Sequence, residues 1–126
     1  MDKILIVDDD ADILTLMKMT LAMHGYDVQA IARWEEIDDR VATYAPGLVL
    51  LDVSLAGADG REICKRMKAE EQTKHIPVIL FSANVEMEKS LRDCGAQAFI
   101  SKPYNLRHLL QTIKETIDES KTSSAP

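Results

Sequence analysis

Asp8, Asp9 and Asp10, with Asp12 just beyond, follow the apolar stretch Ile4-Leu5-Ile6-Val7 without a break. A second apolar run, LVLL, ends in the same way at Asp52. Aspartate is depleted in strands, so repeated acids at the ends of apolar runs ask for a chemical reason. Two unit charges 4 Å apart repel by about 1 to 4 kcal/mol near a wet surface. A hard divalent cation removes that cost, and Mg2+ suits a site of few carboxylates and several waters. Ser82 ends another apolar run, and Lys102 directly follows one more. The ammonium of Lys102 counters the negative charge of whatever binds. Singly, each residue has a plain structural reading: Asp10 or Asp12 as a helix cap, Ser82 and Lys102 as ordinary strand ends. Together Asp8-Asp9, Asp52, Ser82 and Lys102, at the ends of four apolar runs, form a pattern.

The elements that position them alternate along the chain. Residues 3–8, KILIVD, read as a short buried strand, and residues 11–24 as a helix with Ile13, Leu14, Met17 and Leu21 inward. Gly25 stops that helix. YDVQAI, 26–31, alternates like an edge strand. Trp34, Ile37, Val41 and Tyr44 predict a second helix, ended by Pro46-Gly47. LVLLD, 48–52, is a strand, and Asp59 caps a third helix that faces Ile63 and Met67 inward. IPVILFS, 76–82, is the fourth strand; a short helix over about 86–94 closes at Gly95; QAFIS, 97–101, is the fifth strand. Asn105 caps a last helix with Leu106, Leu109, Leu110, Ile113 and Ile117 on its apolar face. A domain over 1–119 and a disordered tail or linker stump over 120–126 follow.

Five strands alternating with five helices predict an α/β, doubly wound, five-stranded parallel sheet covered on both faces. With strand order 2-1-3-4-5, the first and third strands are neighbours, about 4.8 Å apart. Ligands of such sheets bind outside the carboxyl ends of the strands, where the winding reverses. Asp8, Asp9 and Asp52 then share one crevice, with Ser82 and Lys102 on its rim.

The bulk composition agrees. The 126 residues suit one domain, and 46% apolar content supports a core. A net charge of −6 argues against direct nucleic-acid binding. No apolar run is long enough to span a membrane, and MDKILIVDDD is no signal peptide; a cytoplasmic location is expected. Cys64 and Cys94 fit no metal motif, and His24, His75 and His108 form no ligand cluster.

The chain resembles a CheY-like receiver domain of a two-component response regulator over about residues 2–119. The resemblance rests on Asp8-Asp9, Asp52 in LVLLD, Asp59-Gly60, Ser82-Ala83, Phe99 and Lys102-Pro103. It implies that Asp52 accepts a phosphoryl group from a sensor histidine kinase or a histidine phosphotransfer protein. It implies Mg2+ on Asp9, Asp52 and the backbone carbonyl of Ser54, with Asp8 acting mainly through water. Ser82 and Lys102 would hold phosphoryl oxygens, and the Lys102-Pro103 peptide is expected to be cis. Ser82 and Phe99 are the switch residues, altering the face of the fourth helix, fifth strand and fifth helix toward a downstream protein, an output domain or a second copy. The domain is a one-use phosphoacceptor rather than a turnover enzyme.

Three departures stand out. Leu55-Ala56 replaces a common Met-Pro, so the loop lacks proline's fixed φ. Ser82 to Lys102 is about two residues shorter than is common, and no output domain follows. Among other readings, a haloacid-dehalogenase-type phosphatase would use Asp8 as nucleophile with Asp10 as its second acid. A receiver that docks without phosphorylation would usually have lost one of the five polar residues. A flavin binder would need a Ser/Thr-rich phosphate loop that is not present.

Overall fold

The computed structural model describes residues 2–83, 93–102 and 105–123. Five parallel strands, β1 (Lys3–Val7), β2 (Asp27–Ile31), β3 (Leu48–Asp52), β4 (Val78–Ser82) and β5 (Ala98–Ser101), pair in the order β2-β1-β3-β4-β5. Register is set by pairs such as Ile4 with Leu48, Asp52 with Phe81 and Ser82 with Ser101. The sheet is the one the alternation predicts.

Successive strand residues point to opposite faces, and this sequence is apolar on both. Leu5, Val7, Val49, Leu51, Val78 and Leu80 face α2 (Ile37–Tyr44) and α3 (Gly60–Ala69), meeting Ile37, Val41, Ile63 and Met67. Ile4, Ile6, Leu48, Leu50, Ile79 and Phe81 face α1 (Ala11–Met23) and the C-terminal helix Leu106–Ser123. Leu14, Met17 and Leu21 come from α1, and Leu109, Ile113 and Ile117 from the C-terminal helix. Among the described residues, two helices lie on each face, and the sheet is doubly wound.

The described residues contain four α-helices; the fourth predicted helix, about 86–94, falls almost wholly on residues outside them. Several other expectations need correction. Trp34–Glu36 is a 3-10 turn ahead of α2 rather than its first turn, and neither Arg33 nor Glu36 offers a side-chain cap to an α-helical start. That helix ends on Ala45 in the left-handed region, φ 51°, one residue before Pro46. The fourth strand starts at Val78, because Pro77 has no N–H for the ladder. β2 is an edge strand, but its exposure is graded rather than alternating: Val28 and Ala30 pack on one core and Ile31 joins the other. Leu106 is 45% exposed, while Thr116 is buried on the helix face expected to be apolar. The last helix continues to Ser123, into the segment expected to be a disordered tail or linker stump. Lys121 there reaches Asp2 at 3.0 Å. A hairpin that periodicity does not show, Ser54–Leu55 against Ala58–Asp59, follows β3.

Candidate functional site

Asp8 and Asp9 leave β1 at its carboxyl end; Asp52 and Ser82 are the last residues of β3 and β4; Lys102 follows β5. One carboxylate oxygen from each of Asp8, Asp9 and Asp52 lies within 4.8 Å of the others. Asp8 and Asp52 are buried and Asp9 is exposed. The Lys102 ammonium donates to Asp52 Oδ2 at 3.0 Å and to Asp8 Oδ2 at 3.4 Å. The structure thus joins four of the predicted residues into one cluster, at the sheet edge where the winding reverses.

Each acid also accepts one backbone N–H. Asp10 donates to Asp8 Oδ1 at 2.9 Å and Ser54 to Asp52 Oδ1 at 3.1 Å, both from two residues along the chain. Asp9 Oδ2 accepts from Ala56 at 3.0 Å, a partner 47 residues away. These donors offset part of the repulsion. Burial raises the Asp8 carboxyl above its ordinary range; the Asp10 N–H opposes this, the Asp52 charge adds to it, and Lys102 opposes it. Burial alone would lower the Lys102 ammonium. Its hydrogen bond to Asp52 and the charges of Asp52 and Asp8 outweigh that and raise it.

The supports are local. Asp10 caps α1, accepting from the N–H groups of Asp12 and Ile13, and is not one of the three clustered acids. Asp59 caps α3 through Arg61 N–H and holds the Arg61 guanidinium; that hydrogen bond keeps its carboxyl below the usual range. Gly60 begins α3 directly under the end of β3. A Cβ there would stand 2.2 Å from the Asp52 carbonyl oxygen. Gly60 N–H donates to Val53 O at 2.8 Å.

Ser82 is buried, and its carbonyl accepts from Lys102 N–H at 2.9 Å. Phe99 pairs with Leu80 on the neighbouring strand and packs, half-buried, on the α2 and α3 side of the sheet. Ser54 is tied to Asp52 by its N–H. The Lys102-Pro103 peptide lies outside the described residues. Sequence reasoning missed Ala56 as a donor and Trp34 as a neighbour of the loop that carries it. A backbone N–H has no signature in the sequence, and the contact exists only once the chain is folded.

The donor set fits a hard cation: three carboxylates, with no thiol or imidazole in the cluster among the described residues. The fold and the site define an α/β domain with an acidic pocket at the carboxyl edge of its sheet. The family described as "Response regulator receiver domain" matches residues 4–114, and the chain belongs to that family. Its members are signalling domains rather than turnover enzymes, with Mg2+ bound in an acidic pocket. The chain is 32% identical over 90% of its length to the DNA-binding dual master transcriptional regulator RpaA of Synechocystis, covering 48% of that protein. It is 33% identical over 97% of its length to the alkaline phosphatase synthesis transcriptional regulatory protein PhoP of Bacillus subtilis, covering 51%. It spans about half the length of these curated relatives. A CheY-like receiver domain protein from Methanospirillum hungatei superposes with a TM-score of 0.89 at 31% identity, over 98% of this chain and 99% of that one. Among the described residues, no helix is long and apolar enough to cross a membrane.

Proposed function

We propose that Asp52 accepts a phosphoryl group from a phosphohistidine on a sensor kinase or a phosphotransfer protein. The observation that carries the reading is the environment of Asp52. It is a buried carboxylate at the carboxyl end of β3, within 4.8 Å of Asp8 and Asp9 and 3.0 Å from the Lys102 ammonium.

An Asp52 oxygen attacks phosphorus while the P–N bond to the donor imidazole breaks, and the imidazole takes up a proton. The product is an acyl phosphate, later cleaved by water to restore the carboxylate. Asp8, Asp9 and Asp52 are the residues that would hold Mg2+, with the Ser54 carbonyl as a further ligand. When bound, Mg2+ supplies positive charge for the equatorial phosphoryl oxygens. Lys102 is poised to leave its carboxylate partners for a phosphoryl oxygen, and Ser82 offers a hydroxyl at the same rim.

Each hydrogen bond to a charged group contributes about 1.5 to 3 kcal/mol. Shifting a two-state equilibrium from 1:99 to 99:1 takes about 5.5 kcal/mol. Two or three new bonds from Ser82, Lys102 and nearby N–H groups therefore suffice to switch the domain. Ser82 moving toward the phosphoryl group, with Phe99 following on the adjacent strand, carries the signal to the face that engages a downstream protein or an output domain. The reading implies a cytoplasmic location.

The phosphatase reading with Asp8 as nucleophile is weakened by Asp10: the second acid it requires is committed as the cap of α1. Labelling separates the two. With a small phosphodonor and Mg2+, one acid-stable, base-labile phosphoryl group is expected on Asp52. Asp52→Asn is expected to abolish it; labelling at the wild-type rate in that variant, or label on Asp8, refutes the reading.

A further inference from the structure

The three acids of the cluster are not held alike. Asp8 and Asp52 take their N–H donors from residues two places on, within their own turns. Those donors move with the acid they serve. Asp9 is the exposed member, and its donor, Ala56, lies in the loop after β3. Contact between Asp9 and that loop can therefore be made or broken without disturbing either strand.

The loop has two other attachments. Leu55 is buried in the core on the α2 and α3 side, and Gly57 sits beside Trp34, whose indole packs on the same core. A Cβ on Gly57 would lie 3.5 Å from Trp34 Nε1. Gly57 has φ +83°, a conformation that suits glycine and lets the loop fold back into its hairpin. Ala56 is thus suspended between an apolar anchor on one side and a glycine pivot under an indole on the other.

We propose that this loop is a cation-linked latch: the Ala56 N–H holds Asp9 in the cation-free site, and a divalent cation on Asp9 loosens that bond and moves the loop against Trp34. The proposal rests on the acidic cluster being a Mg2+ site. The electrostatics give it a sign. The N–H dipole points its positive end at the Asp9 carboxylate, which stabilises the uncompensated negative charge. The same positive end opposes a cation that arrives at that carboxylate. The donor therefore favours the cation-free state over the bound one, and deleting it tightens binding. The residue pair Leu55-Ala56 makes the device available here, because a proline at 56 has no N–H to give. Two backbone conditions for proline are met. Ala56 is absent from the residues with positive φ, and Leu55 before it is extended, as a residue preceding proline must be.

Trp34 is the only tryptophan in the chain, so its emission comes from a single indole beside the loop. The test is a Mg2+ titration of the wild type and Ala56→Pro, followed by calorimetry and by Trp34 emission. The wild type is expected to bind Mg2+ with a saturable emission change. In Ala56→Pro the dissociation constant should fall by at least about threefold, a fraction of what a hydrogen bond to a charged group contributes. Its emission change should shrink. In the wild type, the Ala56 amide proton should move upfield and exchange faster with solvent when Mg2+ is added; this measurement stands even if the proline variant does not fold. Mg2+ binding by the wild type with an unmoved Ala56 amide, or with equal or weaker affinity in Ala56→Pro, overturns the latch and leaves the metal site intact. No heat of Mg2+ binding and no shift at Asp8, Asp9 or Asp52 in the wild type overturns both.

Discussion

Gly60→Ala puts one methyl group where helix α3 meets the end of β3. The new Cβ would stand 2.2 Å from the Asp52 carbonyl oxygen and 2.9 Å from Val53 Cα. Both are backbone atoms, so no side chain can rotate aside. Asp52 is the last residue of β3, which is buried along its whole length and paired on both sides, so the strand cannot yield either. The first turn of α3 must retreat instead. That retreat breaks the Gly60 N–H bond to Val53 O and displaces Asp59, which caps the helix. Overpacking where side chains can adjust costs about 1 to 3 kcal/mol. With backbone on both sides the upper end of that range, about 3 kcal/mol, is the expectation. For a chain of this size each kcal/mol moves Tm by roughly 3 to 5 °C. Gly60→Ala should therefore melt about 10 °C or more below the wild type by circular dichroism. The retreat also pulls on the peptide of Asp52, so phosphodonor labelling at the proposed acceptor should slow at temperatures where the variant is folded. A Tm within about 3 °C of the wild type, with labelling unchanged, would show that α3 slides freely over the strand end and that this contact does not position Asp52.

Asp8→Asn tests the charge balance. Because burial raises the Asp8 carboxyl, its contribution to stability is intact below the ordinary carboxylate range and is lost as pH rises through the raised value. At neutral pH the variant should melt higher than the wild type in cation-free buffer and lose most of the Mg2+-induced rise; a lower Tm in cation-free buffer contradicts this. Ser82→Ala should still accept phosphate at Asp52, yet the amide shifts that a phosphoryl analogue induces at residues 97–110 should shrink; equal shifts in both proteins exclude Ser82 as the relay. Burial, with Cys94 alongside, pushes the Cys64 thiol up to about 12, so Cys64 should resist alkylation near pH 8 until denaturant is added, by mass spectrometry. Rapid native labelling of Cys64 would show that the core opens there.

What was legible in the sequence follows period and contrast. β1, β3 and β4 are apolar on both faces, and that continuous run is how a central parallel strand reads. Their ends were legible because acid or hydroxyl stops them, at Asp8, Asp52 and Ser82. Less legible were the features settled by tertiary context. Trp34 has helical spacing to Ile37, yet the first turn is 3-10 because no capping side chain precedes it. Ala45 takes a left-handed φ that glycine would take more easily, and nothing in TYAPG assigns it to alanine rather than Gly47. Lys121–Ser123 are polar and read as tail, but they continue a helix whose apolar face ends earlier, at Ile117.

The site divides along the same line. Side chains announce themselves: Asp8, Asp9, Asp52 and Lys102 could be assembled from their positions at strand ends alone, and the structure brings them together. Backbone donors do not. Three carboxylates face one ammonium here, and the N–H groups of Asp10, Ser54 and Ala56 make up part of the difference. Two of those donors follow from the turn that any strand-ending aspartate can make with the chain just beyond it. The third depends on a loop folding back across the site from β3, which only the sheet order determines. The same contact that sequence reasoning could not see is the one that can open without unfolding its neighbours. For that reason the response of the domain to a cation should be read first at Ala56 and Trp34, and only then at the acids themselves.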